Sequence, residues 1–257
     1  MTARHATDRE LSEPPTTPAR VPVDAVVVGA MEEEVRPYAE AAAPEGAEIG
    51  AGHARARLVT LGEARVLLVR SGIGTVNAAA AVTHALTLVR PRAVVSTGSA
   101  GGLAPGVAVG DVVVSETCTY AGADATAFGY ERGQVPGMPP AYAADPGLVA
   151  AARSFGRVVP AVAGGAAGTL RVGQMVSGDS FITAANVAEV REAFPEALST
   201  DMETTAIAQV CHSYRVPFVS VRGVSDLCGP TADEDFHMAV EEVAARAAAV
   251  VVAALRG

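Results

Sequence analysis

The sequence has no lysine and no tryptophan, and all of its 19 basic residues are arginines. A chain without lysine cannot carry the phosphate-binding lysine of a P-loop NTPase or the Schiff-base lysine of pyridoxal and aldolase enzymes. It cannot carry a Ser-Lys dyad either. Several large classes of enzyme are therefore excluded before any motif is considered.

Cysteine and histidine are also scarce. The 3 cysteines, Cys118, Cys211 and Cys228, are too few and too widely spaced for a disulfide scaffold or a structural zinc site. The 5 histidines show no metal-binding spacing. Cys211 and His212 are adjacent, so on a helix they would point about 100° apart. We interpret this pair as structural, and we expect neither a metal ion nor a cofactor.

Excess positive charge and long apolar runs are missing as well. The formal net charge is −9, from 19 basic and 28 acidic residues, which argues against a surface for nucleic acid or an anionic membrane. No apolar run reaches the roughly 18 residues of a membrane-spanning helix, and the N-terminus lacks the apolar core of a signal peptide. We expect a cytoplasmic protein that has neither nucleic acid nor a membrane as its partner.

Apolar residues make up 50% of the 257 residues, which is enough for a buried core. Residues 1–22 are polar and proline-rich and are predicted to form a disordered tail, followed by a single domain over 23–257. Strands alternate with helices through that domain, which is typical of an α/β fold with a largely parallel sheet. The predicted strands are 24–29, 56–61, 65–70, 93–97, 111–119, 169–177, 197–200 and 218–224, and the predicted helices are 76–89, 141–155, 186–194, 203–214 and 233–255.

Carboxylates and glycines follow four of the predicted strands. They lie at 32–34, 98–102, 201–203 and 225–226. Because ligands bind beyond the carboxyl ends of strands in open α/β sheets, these segments predict one site. Each segment alone has a structural explanation, as the acidic first turn of a helix, a helix cap, a tight connection or a turn.

A site of carboxylates without lysine, metal ligands or a Ser-His pair indicates acid–base hydrolysis. Cleavage of a glycosidic bond by water is such a reaction, because an acid assists the leaving group while a base directs the water. These residues alone do not identify the sugar or the leaving group. The Gly72-Ile73-Gly74 segment matches a dinucleotide fingerprint only in part, so we expect no nicotinamide cofactor.

The same segments resemble 5′-methylthioadenosine/S-adenosylhomocysteine nucleosidases. The likeness covers roughly residues 24–255 with its spacing preserved, and it rests on VGAMEEE at 28–34, SGIG at 71–74, TGSAGG at 97–102, DATAFGY at 124–130, SGDSFI at 177–182, METTAIA at 202–208 and SD at 225–226. The resemblance implies a three-layer α/β/α domain around a central mixed, largely parallel twisted sheet. It also implies a homodimer and a role in methionine salvage.

The resemblance assigns roles to individual residues. Glu34 would activate the attacking water, Asp226 would protonate N7 of adenine with Ser225 holding it, and Met202 and Glu203 would bind the ribose. The long 120–140 loop would carry Phe128 into the partner subunit's site. The remaining residues implied to line the pocket are Met31, Ile73, Ser99, Ala100, Gly101, Phe181 (stacked on adenine), Ile182, Arg222 and Phe236.

The sequence departs from the family at Asp201, where a glutamate is usual, at Thr204, where alanine is usual, and over 227–234. Three alternatives therefore stay open. The first is a futalosine or aminofutalosine hydrolase of menaquinone biosynthesis, which would use the same carboxylates. The second is a nucleoside phosphorylase, although the acidic run at 32–34 would repel phosphate. The third is a non-catalytic nucleoside-binding protein.

Overall fold

The computed structural model describes residues 20–162, 166–229 and 232–256, and for 232–239 it describes the backbone alone. Its strands are β1 (Val21–Gly29), β2 (Ala43–Pro44), β3 (Ile49–Ala51), β4 (Ala54–Leu61), β5 (Ala64–Arg70), β6 (Val89–Gly102), β7 (Val112–Tyr120), β8 (Tyr142–Ala143), β9 (Val158–Val159), β10 (Gly168–Ser177), β11 (Ala197–Asp201) and β12 (Phe218–Asp226). Its α-helices are α1 (Glu32–Ala41), α2 (Thr75–Leu88), α3 (Pro146–Arg153), α4 (Val187–Ala193), α5 (Thr204–Tyr214) and α6 (Ala232–Arg256).

The strands form a mixed sheet in the order β11-β10-β7-β12-β6-β1-β5-β4-β2. Strand β1 is parallel to both β5 and β6, and β6 is parallel to β12, so the carboxyl ends of these four strands lie at one edge. Strands β7, β10 and β11 run the other way, because β12 pairs with β7 in antiparallel fashion.

The far end of the sheet curls back onto its middle. Strand β11 pairs antiparallel with the last residues of β6, through Ser199 with Gly102 and Thr200 with Gly101. The carboxyl end of β11 therefore meets the carboxyl ends of β6 and β12, although β11 runs in the opposite direction. This closure brings residues 201–203 to the same edge as residue 34 and residue 226.

Helices cover both faces of the sheet. The apolar residues of α2 and α5 pack on one face against alternate residues of β1, β5 and β6, such as Val26, Leu67 and Val94. Those of α1, α3 and α6 pack on the other face, against the intervening residues such as Val27, Leu68 and Val95. The alternation follows from the two-residue period of a strand. The predicted α/β fold with a central mixed sheet between helical layers is confirmed.

Several predicted boundaries need correction. Strand β1 begins at Val21, inside the segment assigned to the tail, because Val21 and Val23 pack against the core and pair in register with β6. Residues 98–102 continue β6 rather than forming a connection. The helix predicted over 141–155 is only Pro146–Arg153, since residues 142–143 form β8 against β7. Residues 1–19 of the predicted tail lie outside the described residues.

Candidate active site

A cavity of about 150 Å³ lies at the edge where β6, β11 and β12 end. Of the predicted site residues whose side chains the structure describes, all except Phe128 line it. Those that do are Met31, Glu34, Ile73, Ser99, Ala100, Gly101, Phe181, Ile182, Met202, Glu203, Arg222, Ser225 and Asp226. The cavity is also lined by Ala30, Ser180, Thr200, Asp201 and Cys228.

Glu34 is held in the cavity wall by donors on two segments. It lies in the first turn of α1, and its Oε2 accepts hydrogen bonds from the backbone N–H of Ala30 (2.7 Å) and Met31 (3.1 Å). Its Oε1 accepts from the backbone N–H (2.8 Å) and the hydroxyl (2.9 Å) of Ser99. Gly98 makes this contact possible, because a Cβ there would lie 2.3 Å from Oε1 and its φ is +133°.

Arg222 lies beneath the cavity, almost fully buried, among three carboxylates. Its Nε is 2.9 Å from Oδ2 of Asp201, and its Nη1 is 3.2 Å from Oε2 of Glu203 and 4.0 Å from Oε1 of Glu34. Nη1 also donates to the carbonyl oxygen of Ser99 at 3.0 Å. A buried cation with these partners compensates for much of the cost of burying the carboxylates.

Glu203 joins this cluster to the segment that follows β5. Its Oε1 accepts a hydrogen bond from the backbone N–H of Gly74 at 2.9 Å. Burial raises the pKa of Glu203 to about 7, and the neighbouring Asp201 and Glu34 carboxylates add to the rise, whereas Arg222 opposes it. Glu203 is therefore poised to exchange a proton near neutral pH.

Asp226 ends β12 on the opposite wall. Its Oδ2 accepts a hydrogen bond from the hydroxyl of Ser225 (2.9 Å), and its Oδ1 accepts from the backbone N–H of Cys228 (2.8 Å). Cys228 adopts a left-handed conformation with φ of 55°, which turns its N–H back toward the carboxyl group. Burial, with the Asp226 carboxylate next, raises the pKa of the Cys228 thiol to about 12, so the thiol stays neutral.

The mouth of the cavity is apolar and partly open. Ile73 and Phe181 are 51% and 43% exposed, respectively, and lie on segments that are tied together through Asp179. The Asp179 carboxylate accepts hydrogen bonds from the backbone N–H (2.7 Å) and the hydroxyl (2.6 Å) of Thr75. The apolar side chains at the mouth therefore lie on two segments that hydrogen bonds hold together.

One described residue of the predicted site does not line the cavity. Phe128 lies on a 3-10 turn, Thr126–Phe128, and is 84% exposed. The side chain of Phe236 lies outside the described residues.

Within the described ranges, no cluster of three or more histidine, cysteine, aspartate or glutamate side chains is arranged to hold a metal ion. None of the helices described there is long and apolar enough to cross a membrane.

Residues 24–256 match the family model described as the phosphorylase superfamily. The chain belongs to the phosphorylase superfamily. The match begins within β1 and reaches the end of α6, so it covers every α-helix that the structure describes, and the predicted family relationship is confirmed.

Solved structures similar to this superfamily member include nucleosidases. One is the 5′-methylthioadenosine/S-adenosylhomocysteine nucleosidase of Neisseria meningitidis with methylthio-immucillin-A, at 37% identity and a TM-score of 0.80, covering 91% of this chain and 98% of that one. The corresponding nucleosidase of Colwellia psychrerythraea 34H, in complex with adenine, has 34% identity and a TM-score of 0.83. The match covers 91% of this chain and 95% of that one. The futalosine hydrolase of Helicobacter pylori, at 23% identity, a TM-score of 0.81 and coverage of 91% and 98%, shares the fold.

The sequence predicts Asp201 at the edge of the sheet and places Cys228 in the 227–234 segment that departs from the family, but it indicates no role in the site for either residue. Asp201 is nearly buried and contacts Arg222, and the backbone of Cys228 holds Asp226. The carboxylate directly after a strand was the available signal for Asp201. For Cys228 the sequence holds no signal, because a left-handed conformation at a non-glycine residue is set by its surroundings.

The raised pKa of Glu203 predicts a dependence of stability on pH. In the unfolded chain this carboxyl group titrates near 4.5, and in the folded chain near 7. The folded chain therefore binds this proton more tightly, so the contribution of Glu203 to the free energy of unfolding is fully present below pH 4.5 and is lost as the pH rises through 7. The slope for one proton is at most about 1.4 kcal/mol per pH unit.

Glu203→Gln removes this titration. We expect the unfolding free energy of the variant, relative to the unmodified chain, to rise between pH 5 and pH 7.5 in chemical denaturation. Glu196→Gln, at an exposed glutamate, is the matched control and should follow the unmodified chain. Parallel curves for Glu203→Gln and the unmodified chain would contradict the prediction.

Proposed function

We propose that this chain hydrolyses the N-glycosidic bond of 5′-thioalkyl adenosines, such as 5′-methylthioadenosine and S-adenosylhomocysteine, and also of 5′-deoxyadenosine. The products are adenine and the free 5-thioalkylribose or 5-deoxyribose. The observation that carries the proposal is the placement of two separately supported carboxyl groups, Glu34 and Asp226, in one cavity with an apolar mouth. Glycosidic hydrolysis needs one group for the water and another for the leaving group.

Glu34 acts on the water. Of its four hydrogen-bond donors, three are backbone N–H groups and are fixed, whereas the Ser99 hydroxyl can rotate. A water molecule can replace that hydroxyl on Oε1, at a point that also faces Arg222. The carboxylate then orients the water and takes its proton as the bond to the sugar forms.

Asp226 acts on the adenine. Adenine is a poor leaving group as an anion, so N7 must gain a proton as the bond breaks. The Ser225 hydroxyl and the Cys228 N–H fix the carboxyl group on the cavity wall, and in its protonated form it donates to N7. Phe181 stacks on the base, and the backbone of Ile182 contacts its edge.

Glu203 and Met202 bind the ribose between these two groups. Positive charge develops on the sugar as the bond breaks, and nearby carboxylates stabilise that charge in a site with little water. The apolar side chains Met31 and Ile73 at the mouth accept the 5′-thioalkyl group. The family resemblance assigns Phe236 to the same lining. The apolar lining around the 5′ group is the part of the pocket that discriminates between 5′-thioalkyl adenosines and aminofutalosine, because the 5′ substituent of aminofutalosine is bulkier.

Arg222 argues against phosphorolysis. A phosphorylase holds phosphate with arginine side chains that are free to pair with it. Here the guanidinium that lines the cavity already contacts the carboxylates of Glu34, Asp201 and Glu203. A phosphate would have to displace one of these and would face the other two.

Adenine release should therefore be independent of phosphate. The assay compares 5′-methylthioadenosine, S-adenosylhomocysteine, 5′-deoxyadenosine and aminofutalosine, each with and without phosphate, and identifies the sugar product by mass. We expect the free sugar in every productive reaction. Formation of the sugar 1-phosphate would contradict hydrolysis, turnover of aminofutalosine alone would indicate the menaquinone enzyme, and binding without turnover would indicate a nucleoside-binding protein.

Asp226→Asn tests the acid. The substitution keeps the shape of the side chain and removes its proton, and general acid catalysis is typically worth about 10²–10⁴ in rate. We expect kcat for adenine nucleosides to fall by at least about 10² with little change in KM. A riboside with a nitrophenolate leaving group, which departs readily as an anion, should be largely spared.

Glu34→Gln is the matched control for that comparison. Water attack is needed with both leaving groups, so this variant should lose activity on both substrates. If Asp226→Asn depresses the two substrates equally, Asp226 maintains the pocket and the proton comes from another group.

The functional unit is a homodimer in which Phe128 closes the partner subunit's pocket. Phe128 is 84% exposed on a turn that is itself fixed, since the Asp124 carboxylate accepts hydrogen bonds from the Thr126 N–H (3.0 Å) and hydroxyl (2.7 Å). A large aromatic side chain held out on a rigid turn is typical of a protein contact. We also propose that the protein is cytoplasmic and that it acts in methionine salvage.

Phe128→Ala should weaken binding of the thioalkyl group. One lost aromatic contact is worth about 1–3 kcal/mol, so we expect KM for 5′-methylthioadenosine to rise roughly 5- to 100-fold, and more than KM for adenosine. Sedimentation velocity gives the oligomeric state of both proteins. A fully active monomer would contradict the contribution of Phe128 across the interface.

A further inference from the structure

The hydroxyl of Thr204 lies at the centre of the polar cluster under the cavity, and the proposed mechanism does not use it. Thr204 begins α5 and is completely buried. Its Oγ1 is hydrogen-bonded to Oδ2 of Asp201 and lies 3.2 Å from Nε of Arg222. Two serine hydroxyls are also in reach, Ser220 at 2.9 Å and Ser96 at 3.2 Å.

The chemistry of these partners sets the direction of the hydrogen bonds. A hydroxyl has one donor and two acceptor positions, a carboxylate only accepts, and Nε of arginine only donates. The Thr204 hydroxyl therefore donates to Asp201 and accepts from Arg222. Because its proton points at the carboxylate, its oxygen presents negative charge to the guanidinium.

Arg222 is held on both of its edges by this arrangement. The Nε edge faces Thr204 and Asp201, and Nη2 donates to the Ser96 hydroxyl at 3.0 Å. The Ser96 hydroxyl in turn contacts Thr204. Only Nη1 is directed toward the carboxylates proposed to act on the substrate, Glu34 and Glu203.

We propose that Thr204 is a positioning residue for the reaction, whose hydroxyl keeps the Arg222 guanidinium in the orientation that lets Nη1 face Glu34 and Glu203 at once. Without that hydroxyl, the Nε edge has Asp201 as its remaining partner in this cluster, and the guanidinium moves toward it. The charge beside Glu34 and Glu203 then weakens. The kinetic part of this inference rests on the proposed nucleosidase activity.

Capping of α5 does not account for the position of the hydroxyl. Asp201 already performs that role, because its Oδ1 accepts hydrogen bonds from the backbone N–H groups of Glu203 (3.2 Å) and Thr204 (3.1 Å). Oδ1 also accepts from the Ser177 hydroxyl at 2.6 Å. None of these bonds involves the Thr204 side chain, so the cap remains when the hydroxyl is removed.

A matched pair of variants separates the hydroxyl from the packing. Thr204→Val keeps the shape and removes the hydroxyl, whereas Thr204→Ser keeps the hydroxyl and removes a methyl group. The kinetic measurement is kcat and kcat/KM for 5′-methylthioadenosine from pH 5 to pH 9. The ionisable groups described around Arg222 are Glu34 and Tyr38 of α1, Cys118 of β7, Asp201 of β11, and Glu203 ahead of α5.

We expect Thr204→Val to lower kcat at least about 10-fold and to move the acidic limb of kcat/KM to higher pH by about half a unit. The sign follows because a cation that moves away from a carboxylate raises the pKa of that carboxylate. Thr204→Ser should stay within about 3-fold of the unmodified chain, with its acidic limb in place. A folded Thr204→Val with unchanged kcat and an unchanged acidic limb overturns the proposal.

A second measurement does not depend on turnover. The Nε–H signal of Arg222 in ¹H–¹⁵N spectra can be assigned by its loss in Arg222→Lys. Thr204→Val should shift this signal and speed its hydrogen exchange, and Thr204→Ser should leave both near the values of the unmodified chain. If the unmodified chain releases no adenine, the proposed function fails, and this signal alone then decides whether Thr204 orients the guanidinium. An unchanged signal in Thr204→Val overturns the proposal.

Discussion

The pairing of one buried guanidinium with three carboxylates is the interaction on which the site depends. Arg222, Glu34, Asp201 and Glu203 are all buried, and an isolated charge in such a place is too costly to keep. Burial raises the pKa of Glu203, and the Asp201 and Glu34 carboxylates add to the rise against the opposing effect of Arg222. A site that must stabilise positive charge on a sugar benefits from an environment already biased in that direction.

The fold supplies these four side chains from segments that are far apart in the chain. Arg222 comes from the middle of β12, Glu34 from the first turn of α1, and Asp201 from the end of β11. They meet because β11 pairs with the end of β6 rather than extending away from it. The close approach of Glu34 to Gly98 shows how little space this convergence leaves.

Most of the strands, and most of the residues that line the cavity, could be predicted from the sequence. Buried strands of an α/β sheet appear as short apolar runs, and the polar residues directly after them mark the edge where ligands bind. The hydrogen bonds and ion pairs between those residues could not be predicted from the sequence. The bond from Arg222 to Ser96 joins positions 126 residues apart, and no local pattern encodes it. Phe128 is a related case, because the role proposed for it concerns a second copy of the chain.

The closure of β11 onto β6 also determines when the site can exist during folding. The residues that line the cavity extend from Ala30 to Cys228, so nearly the whole domain must be in place before any of the site is complete. Contacts of such long sequence separation form late, after the cost of closing the intervening loops has been met. A nucleoside that binds there recognises only the fully closed sheet. Its binding energy therefore adds to the stability of the entire domain, and protects the amides whose exchange requires the site to open, including the slowest-exchanging ones.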